Sequence, residues 1–470
     1  MRWVLDLTIS LPMVRSQLAQ DLVDIFQEAL DASHAGKAVE SRLQVSSGAI
    51  RAGRRAIALD RVERVGIVAV GKAAPAMAEA VPDAIKDKMT FGVIVTKKGY
   101  ERPVDGFEIR EGGHPVPDRS SLRAADEVVE LVSELGEEDL LLVLISGGAS
   151  ALLTSPVPAV GLNDTITLTE MMLESGMDIA SMNMVRSHLS RVKGGRLAVS
   201  AAPASVLTLA LSDVVGDKLP AIGGGPTVAD PSRYRDAIAA LKKAQILDAV
   251  PESVREYLEA GNRGEIPESP KPGDPRLSRA FAAVVGGPKT LLRAAARSAR
   301  AKGLRVRCAT KPIEGPIVDL VEKYMARAGS MVRSGTGREV FVAVGEPTVE
   351  IAHELRGQKG REKLGKGGRS QHMALLMAQA MAGDEHMAFL SAGTDGTDGL
   401  TEAAGGIVDG NTMKEAEAAE VDIADALARF DSNTALGKIG ARLETGPTDT
   451  NVTDLHLLAV EGKTAARRKK

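Results

Sequence analysis

The chain has 470 residues, 44% hydrophobic and 26% charged, which is the composition of a globular protein with room for two or three domains. A formal net charge of −3, with only one Trp, four Tyr and seven Phe, argues against a nucleic-acid-binding surface. The single cysteine, Cys308, excludes an internal disulfide and a thiolate-rich zinc site.

The sequence does not indicate a membrane protein. No apolar stretch reaches the roughly 18–20 residues that a membrane-spanning helix needs. An apolar patch near the N-terminus is interrupted by Asp6 and is not followed by a small-residue cleavage site. We therefore predict a cytoplasmic protein that binds neither membranes nor nucleic acid.

Apolar runs rich in β-branched residues recur in the first half of the chain, at residues 64–71, 91–99, 139–148 and 205–213. Such runs suit strands that are buried on both faces of a parallel sheet. Between the strands lie segments with helical spacing of Val and Leu, such as residues 121–136, which start at a Ser and stop at a Gly. The alternation predicts a doubly wound α/β sandwich.

The pattern breaks at residues 258–280, which are rich in Pro, Gly and charge and read as a linker or a long surface excursion. The alternation of strands and helices then resumes, with strand-like runs at residues 280–287, 305–310, 339–349, 386–396 and 454–460. We predict two α/β domains, at residues 15–270 and 275–465, with their motifs meeting in a cleft.

Short glycine clusters follow several of the predicted strands, where α/β proteins place their ligands. Gly71 and Lys72 follow the first strand and precede a helix-like segment. A lysine at such a turn can neutralise a phosphate as a point charge, with backbone amides beside it. The alternative is an ordinary solvated lysine in a strand-to-helix loop.

A second cluster follows the predicted strand at residues 139–145 and contains Ser146, Gly147, Gly148 and Ser150. Two glycines permit close approach of the backbone to an anion, and Ser150 can cap the next helix while donating to a phosphate. A tight turn with an ordinary cap explains the same residues. The cluster lacks the G-x-S-x-G spacing of a nucleophile elbow.

Two carboxylates, Asp213 and Asp217, follow the predicted strand at residues 205–211. Carboxylates at this spacing can hold Mg²⁺ or activate a hydroxyl, although Asp is also a common turn or cap residue at strand ends. Three consecutive glycines come next in the chain, Gly223, Gly224 and Gly225. They predict an amide-rich nest for anionic oxygens.

Two glycine-rich loops stand out in the second half. Residues 365–371 contain Lys366 and Arg369 directly before a helical segment, which favours an anion site, although many such loops are only mobile. Residues 391–410 contain three Asp and six Gly after a predicted strand. A metal loop, a phosphate cradle and a flexible turn are the three interpretations, and the ligand spacing of an EF-hand is not met.

The sequence lacks both the G-x-x-x-x-G-K-[ST] pattern of P-loop enzymes and a G-x-G-x-x-G after a strand. Its basic residues, strand-end carboxylates and amide nests nevertheless fit phosphoryl transfer, whose catalysis is mostly positioning and charge stabilisation. The residues therefore indicate an enzyme that handles anions or nucleotides, without naming its substrate.

Ten motifs in this order resemble those of the glycerate 2-kinases that carry a C-terminal MOFRL domain. They are VGKAAPAMA, GGHPVPD, ISGGASALL, VKGGRLA, LSDVVGD, IGGGPTV, GEPTV, GKGGRSQHMAL, SAGTDGTDG and GPTDTNVTD. The resemblance runs from about residue 20 to residue 460. It implies a Rossmann-like N-terminal domain and a smaller α/β domain, with the active site between them.

The resemblance also implies an activity: ATP-dependent phosphorylation of D-glycerate to 2-phosphoglycerate, with Mg²⁺ as the metal. ATP and D-glycerate would be the small-molecule partners, and the sequence leaves monomer and homodimer open. Two other functions remain as alternatives, an NAD(P)H-dependent hydroxypyruvate reductase and a catalytically silent protein that binds a small anion.

The same resemblance assigns roles to individual residues. Lys72 and Arg369 become the two basic catalytic positions, and Asp213 becomes the carboxylate that binds metal or activates the hydroxyl. Asp217 and Asp398 are further metal candidates. Residues expected at the substrate and phosphates are Ser146, Gly147, Gly148, Ser150, Gly223, Gly224, Gly225, Thr394 and Asp395.

This sequence departs from the family pattern at three positions near the site. Ser370 and His372 stand in the motif GGRSQH where the family usually has Asn and Glu, and Asp449 stands at a Gly position. We expect Asp449 to be accommodated if its backbone is left-handed, because Asp tolerates that conformation better than most residues.

Overall fold

The computed structural model describes residues 16–53, 55–214, 216–334, 337–349 and 364–462. The N-terminal patch considered above lies outside these residues. They form two compact units, one of Ala35–Gly286 and one of the chain up to His34 and from Gly287 onward. No helix in the described ranges is both long and apolar enough to cross a membrane.

The strands, in chain order, are β1 (Leu43–Ser46), β2 (Ala49–Ala52), β3 (Arg55–Ala58), β4 (Val65–Val70), β5 (Met89–Lys97), β6 (Glu108–Gly112), β7 (Leu140–Ile145), β8 (Ser205–Leu211), β9 (Ala280–Gly286), β10 (Arg305–Cys308), β11 (Gly337–Val344), β12 (Met387–Gly393), β13 (Gly405–Asp409), β14 (Arg442–Leu443) and β15 (Asp454–Gly462).

The helices are α1 (Gln17–Ala32), α2 (Ala35–Arg42), α3 (Ala74–Glu79), α4 (Asp83–Lys86), α5 (Arg119–Ser133), α6 (Ala149–Leu152), α7 (Leu162–Glu174), α8 (Ile179–His188), α9 (Arg196–Ser200), α10 (Tyr234–Lys243), α11 (Glu252–Asn262), α12 (Pro288–Ala301), α13 (Ile317–Ser334), α14 (Arg369–Ala380), α15 (Thr412–Ala418), α16 (Ile423–Ala428) and α17 (Ser432–Lys438).

The unit of Ala35–Gly286 is built on a six-stranded sheet with the order β6-β5-β4-β7-β8-β9. Every pair of neighbours in it is parallel. Numbered from β4, the order is 3-2-1-4-5-6, which is that of the doubly wound dinucleotide-binding folds. The predicted α/β fold with a parallel sheet is confirmed, and β1–β3 form a separate antiparallel meander.

Every residue of β4 and β7 is buried, as the continuous apolar runs predict for central strands that are covered on both faces. Helix α5 shows how the sequence sets a helix boundary. The Asp118 carboxylate accepts the amide N–H groups of Ser120 and Ser121, and Ser121 completes a capping box, so the helix begins at Arg119. That start lies two residues before the predicted one.

A helical layer completes this unit. Helices α7, α8, α10 and α11 pack around a satellite core whose largest fully buried side chain is Tyr234. This layer places α8 beside the loops that follow β7 and β8, since Asn183 of α8 donates to the carbonyl of Ala221 at 2.9 Å.

The other unit contains a mixed sheet with the order β10-β11-β15-β12-β13-β14. Strand β15 runs antiparallel to both of its neighbours, β11 and β12. Helices α13 and α14 cover one core, in which Tyr324 stacks edge-on against Phe341 and Phe389. A second α/β unit after the first is confirmed.

The N-terminal helix α1 belongs to this second unit, whereas the sequence-based boundaries place residues 15–270 together. Its apolar face packs against α12 and against strands β12 and β15. The partly buried Arg338 forms an ion pair with the buried Asp21 of α1. The unit is therefore discontinuous in sequence. The helical pattern of α1 predicts a helix but does not show which unit that helix packs against.

Strand β9 also lies on the other side of the predicted boundary. The sequence groups residues 280–287 with the second domain, because they follow the Pro- and Gly-rich segment. In the structure β9 pairs in parallel with β8 and forms an edge of the first sheet. The change of unit therefore occurs at Gly286–Gly287.

We expect Phe26→Ala in α1 to lower the free energy of unfolding by about 3–5 kcal/mol, because a fully buried aromatic side chain is lost from the second unit. Urea denaturation followed by circular dichroism measures the change. Glu28→Ala, at an exposed position of the same helix, is the matched control and should change stability by less than about 1 kcal/mol. Equal midpoints for the two variants would contradict the placement of α1.

Candidate functional site

The first sheet brings together two of the predicted loops at its topological switch point. Strands β4 and β7 are neighbours there, and the chain reverses its order of strands between them. The backbone N–H of Lys72 donates to the carbonyl of Gly147 at 3.0 Å, and that of Ala73 donates to the Ser146 hydroxyl at 3.1 Å. The loop after β4 and the loop after β7 are thus directly bonded.

Gly71 permits this contact. Its φ is +126°, and a Cβ at this position would lie 2.2 Å from Oγ of Ser146. Its carbonyl accepts the buried Thr96 hydroxyl at 3.0 Å. Only glycine fits here, and the half-buried Lys72 extends from the same junction.

Downstream of this junction, Gly148 is the N-cap of the short helix α6, on which Ser150 lies. The Ser150 hydroxyl donates to Oδ1 of Asn183 in α8 at 3.2 Å. Ser150 therefore lies between the switch-point loop and the helical layer, and its hydroxyl proton is directed at Asn183.

The three consecutive glycines Gly223, Gly224 and Gly225 all have left-handed backbones, with φ of +60°, +77° and +59°. The carbonyls of Gly224 and Gly225 accept the N–H groups of Gly194 and Gly195 at 2.9 and 2.8 Å. This run lies against α6, because a Cβ on Gly223 would be 3.1 Å from that of Ala149. The structure therefore brings it next to the loop that begins at Ser146.

Asp213 and Asp217 both follow β8 and are half-buried. One carboxylate oxygen of Asp217, Oδ1, is buried and has no hydrogen-bond partner among the described residues. Within the same residues, no three His, Cys, Asp or Glu side chains are grouped as a protein-held metal would need. One or two carboxylates suffice for Mg²⁺ that is held mainly by substrate phosphates and water, so this pair fits such an ion.

In the second unit, Arg369 is the first residue of α14, and carboxylates surround it. Its Nε and Nη2 donate to the two oxygens of Asp454 at 2.6 and 3.1 Å, and Nη1 donates to Glu346 at 2.8 Å. Burial lowers the pKa of Arg369, but the two carboxylates outweigh it and raise that pKa above its usual value. Asp454 was not singled out from the sequence, although it is the last residue of the quoted motif GPTDTNVTD and starts β15.

Asp398 acts as a cap of α14. Its Oδ1 accepts the backbone N–H of Ser370 at 3.1 Å, and its Oδ2 accepts that of Gln371 at 2.8 Å. Burial, followed by the nearby charge of Asp454, raises the pKa of Asp398 to about 7. Both oxygens accept amides of the first turn of α14, so Asp398 caps this helix. Its role as a metal ligand stays a prediction.

The first residues of the loop after β12, Thr394 and Asp395, are buried. Thr394 is 1% exposed, and its hydroxyl donates to the Thr453 carbonyl at 2.7 Å and accepts the Val452 N–H at 3.0 Å. These two bonds hold the Thr394 side chain within the loop, and its contact with a ligand stays a prediction. Asp395 accepts the N–H of Thr397 at 3.1 Å and is also buried.

The three departures from the family pattern have structural explanations. The Ser370 hydroxyl donates to Asp454 at 3.3 Å, and His372 stacks on Phe430 with ring centroids 4.8 Å apart. Burial lowers the pKa of His372 to about 4. Asp449 has a φ of +52°, so the expectation of a left-handed backbone there is confirmed.

A fully buried histidine, His456, supports the same part of the second unit. Its Nδ1 lies 3.0 Å from the Ser391 hydroxyl, and its Nε2 lies 3.3 Å from the Gly345 carbonyl. Burial lowers the pKa of His456 to about 4, and the ring is therefore neutral at physiological pH.

Residues 21–259 match a family model described as a domain of unknown function (DUF4147), and residues 339–454 match the model of the MOFRL family. A D-glycerate 2-kinase from Thermotoga maritima is 40% identical over 398 residues, which covers 84% of this chain and 90% of that protein. The chain belongs to the glycerate 2-kinase family. The resemblance noted in the sequence is thereby confirmed.

Two further members of this family are informative. The solved structure of a glycerate kinase from Thermotoga maritima superposes with a TM-score of 0.74 at 36% identity, covering 94% of this chain and 99% of that one. A protein of Agrobacterium vitis, named a putative hydroxypyruvate reductase, is 37% identical over 84% of this chain and 87% of its own length.

We expect Asp398→Ala to lower the free energy of unfolding by about 2 kcal/mol, because the first turn of α14 loses a carboxylate that accepts two of its N–H groups. Chemical denaturation measures this change. Asp384→Ala is the control, since Asp384 accepts only a loop amide, that of His386, at 3.1 Å. An Asp398→Ala variant as stable as this control would show that the cap contributes nothing.

Protonation of His456 should destabilise the fold in acid. Its folded pKa lies below its unfolded value of about 6.5, so the contribution is complete above that pH and is lost as the pH falls toward 4. We expect His456→Gln to unfold with a shallower pH dependence between 6.5 and 4 than the wild type. The exposed His386→Gln should retain the wild-type slope, and equal slopes for all three proteins would refute the assignment.

Proposed function

We propose that this chain is an ATP-dependent D-glycerate 2-kinase. It transfers the γ-phosphoryl group of ATP to the 2-hydroxyl of D-glycerate and releases 2-phosphoglycerate and ADP. Membership of the family supports this activity. One observation supports its location: the hydrogen-bonded junction of the loops after β4 and β7, formed by Lys72, Ala73, Ser146 and Gly147. In doubly wound sheets this is where phosphate-bearing ligands bind.

The junction suits the charge that phosphoryl transfer must stabilise. In this proposal Lys72 neutralises the phosphoryl oxygens as a point charge, while Gly148 and Ser150 line the phosphate or glycerate pocket. The neighbouring Gly223–Gly225 run contributes backbone to the same pocket. Positioning and electrostatic stabilisation supply most of the rate enhancement in reactions of this class.

The strand-end carboxylates take the acid–base and metal roles. Asp213 accepts the proton of the 2-hydroxyl as that oxygen attacks the γ-phosphorus. Asp213 and Asp217 would hold Mg²⁺, and the unpartnered Oδ1 of Asp217 supports its share of this role. When bound, the ion neutralises phosphate charge.

Arg369 contributes donors whose direction is set by its neighbours. A guanidinium has five N–H donors, and the bonds to Asp454 and Glu346 use three, which leaves two for phosphate oxygens. Because its charge is compensated, we assign it an orienting role more than a neutralising one. Asp454 and Glu346 are then positioning residues, and Asp395 stays in the proposal as part of the adjoining loop.

The reductase is the second candidate, because a relative carries the name putative hydroxypyruvate reductase. The first strand-to-helix turn of the Rossmann-like sheet, VGKAA, lacks the G-x-G-x-x-G pattern that binds dinucleotides. The kinase is therefore the better-supported function. A silent anion-binding protein would show neither turnover.

We expect wild-type protein to release ADP only when D-glycerate, ATP and Mg²⁺ are all present, with phosphate found at the 2-position by NMR of the product. Lys72→Ala and Arg369→Ala should each lower kcat by about a hundredfold or more, because Lys72 neutralises the phosphoryl oxygens and Arg369 orients them. Lys242→Ala, at an exposed position on α10, is the matched control and should retain full kcat.

Other outcomes of this assay identify the other functions. Consumption of NADH with hydroxypyruvate, without use of ATP, would establish the reductase. Binding of D-glycerate without turnover of either pair would establish the silent protein. Full activity in Lys72→Ala or Arg369→Ala would remove that residue from the mechanism.

A further inference from the structure

A small cavity lies between α6, α8 and the loop that follows α8, and two basic residues line it. They are Arg186, which is half-buried, and Lys193, which is 2% exposed. The volume is about 20 Å³, which is room for one or two water-sized groups. Neither basic residue was singled out from the sequence.

Within the described ranges, neither of these two basic side chains has an acidic partner. Of the residues that line the cavity, all of them in the described part of the chain, none is acidic. The Lys193 ammonium donates to the Leu153 carbonyl at 3.0 Å, and among the described residues no carboxylate pairs with it or with Arg186. Burial, and then the charge of Arg186, lowers the pKa of Lys193 to about 7.

Burial and the nearby guanidinium disfavour the charged form of Lys193, and an anion bound beside both residues would favour it again. The surrounding hydroxyls already have acceptors within the protein. Each of the six in the lining already donates to a protein oxygen: Ser150, Thr154, Ser155, Thr165, Thr169 and Ser190. The donors left for a ligand are therefore those of Arg186 and Lys193.

The size and shape of the cavity select the class of anion. Its volume excludes a nucleotide or a triphosphate but admits the two oxygens of a carboxylate. A planar guanidinium matches a carboxylate with two parallel hydrogen bonds, and an ammonium adds a compact charge.

The cavity adjoins the proposed reaction site through Ser150, Lys193 and Asn183. Ser150 lines it and lies two residues after Gly148 of the switch-point loop. The side chain of Lys193 packs against Gly224 of the Gly223–Gly225 segment, because a Cβ on Gly224 would lie 2.8 Å from Cδ of Lys193. Asn183 links α8 to both regions, to Ser150 and to the carbonyl of Ala221.

We propose that Arg186 and Lys193 bind the carboxylate of the hydroxy-acid substrate in this cavity. The inference rests on the proposed function and adds to it a specificity site for the acid. A bound carboxylate would compensate both cations and leave the rest of a short substrate directed toward the loop of Ser146–Ser150. Substrates of the same length that lack the negative charge would then be rejected.

The test compares D-glycerate with glyceramide, its uncharged amide, in steady-state kinetics and in direct binding by calorimetry. We expect Arg186→Gln and Lys193→Met each to raise KM for D-glycerate about ten- to hundredfold and to leave KM for ATP unchanged. Both should reduce the preference for D-glycerate over glyceramide. Arg186→Lys keeps the charge without the planar pair of donors and should fall between wild type and Arg186→Gln.

Matched controls are Arg235→Gln and Lys242→Met, both at exposed positions of α10, which should behave as wild type. Thermal denaturation establishes whether each variant is folded. If Lys193→Met does not fold, the conservative Arg186→Lys still provides the test. Calorimetry measures the affinity for D-glycerate and does not require turnover. An affinity that falls in the order wild type, Arg186→Lys, Arg186→Gln supports the proposal.

The proposal is overturned if KM for D-glycerate stays unchanged in the folded variants while the wild type is an active kinase. It is also overturned if KM for ATP rises instead, because the cavity would then take a phosphate. A third outcome is that the wild type binds D-glycerate without phosphorylating it while affinity still falls in the order wild type, Arg186→Lys, Arg186→Gln. That result would exclude the kinase activity and support the carboxylate site.

Discussion

The close contact between Gly71 and Ser146 is the constraint on which the first unit's site depends. A parallel sheet leaves a gap at its switch point, and here the loops from β4 and β7 fill it by approaching until no Cβ fits between them. This approach lets the amides of Lys72 and Ala73 bond to the opposite loop and fixes where the lysine side chain starts. The Gly223–Gly225 run and α6 then pack against a loop whose course is already set.

The two units differ in whether acidic residues compensate their buried basic side chains. In the second unit, Arg369 is held by Asp454 and Glu346, so its guanidinium is oriented at little electrostatic cost. In the first unit, Arg186 and Lys193 line a cavity that has no acidic residue among the described residues. A compensated arginine positions donors, whereas an uncompensated pair attracts an anion, and a kinase acting on an acid has use for both.

Local patterns explain why much of the fold could be predicted. The runs that became β4 and β7 are apolar at every position because both faces of a central parallel strand are covered. The glycine clusters do follow these strands, and the ligand-binding role that strand ends often have in such sheets stays a prediction for them. The boundary between the units was harder to predict from the sequence. It depends on the pairing of β9 with β8 and the packing of α1 on α12, which join segments far apart in the chain.

The sequence by itself determined the strand-end loops and the family to which the chain belongs, because both are carried by short contiguous motifs. Only the tertiary structure decided what each polar side chain faces. Arg369 meets Asp454 across 85 positions of sequence, and Asp398 caps a helix that starts 29 residues earlier in the chain. Hydrogen bonds depend on distance in space, so partners this far apart in the chain become known only when the sheets have formed.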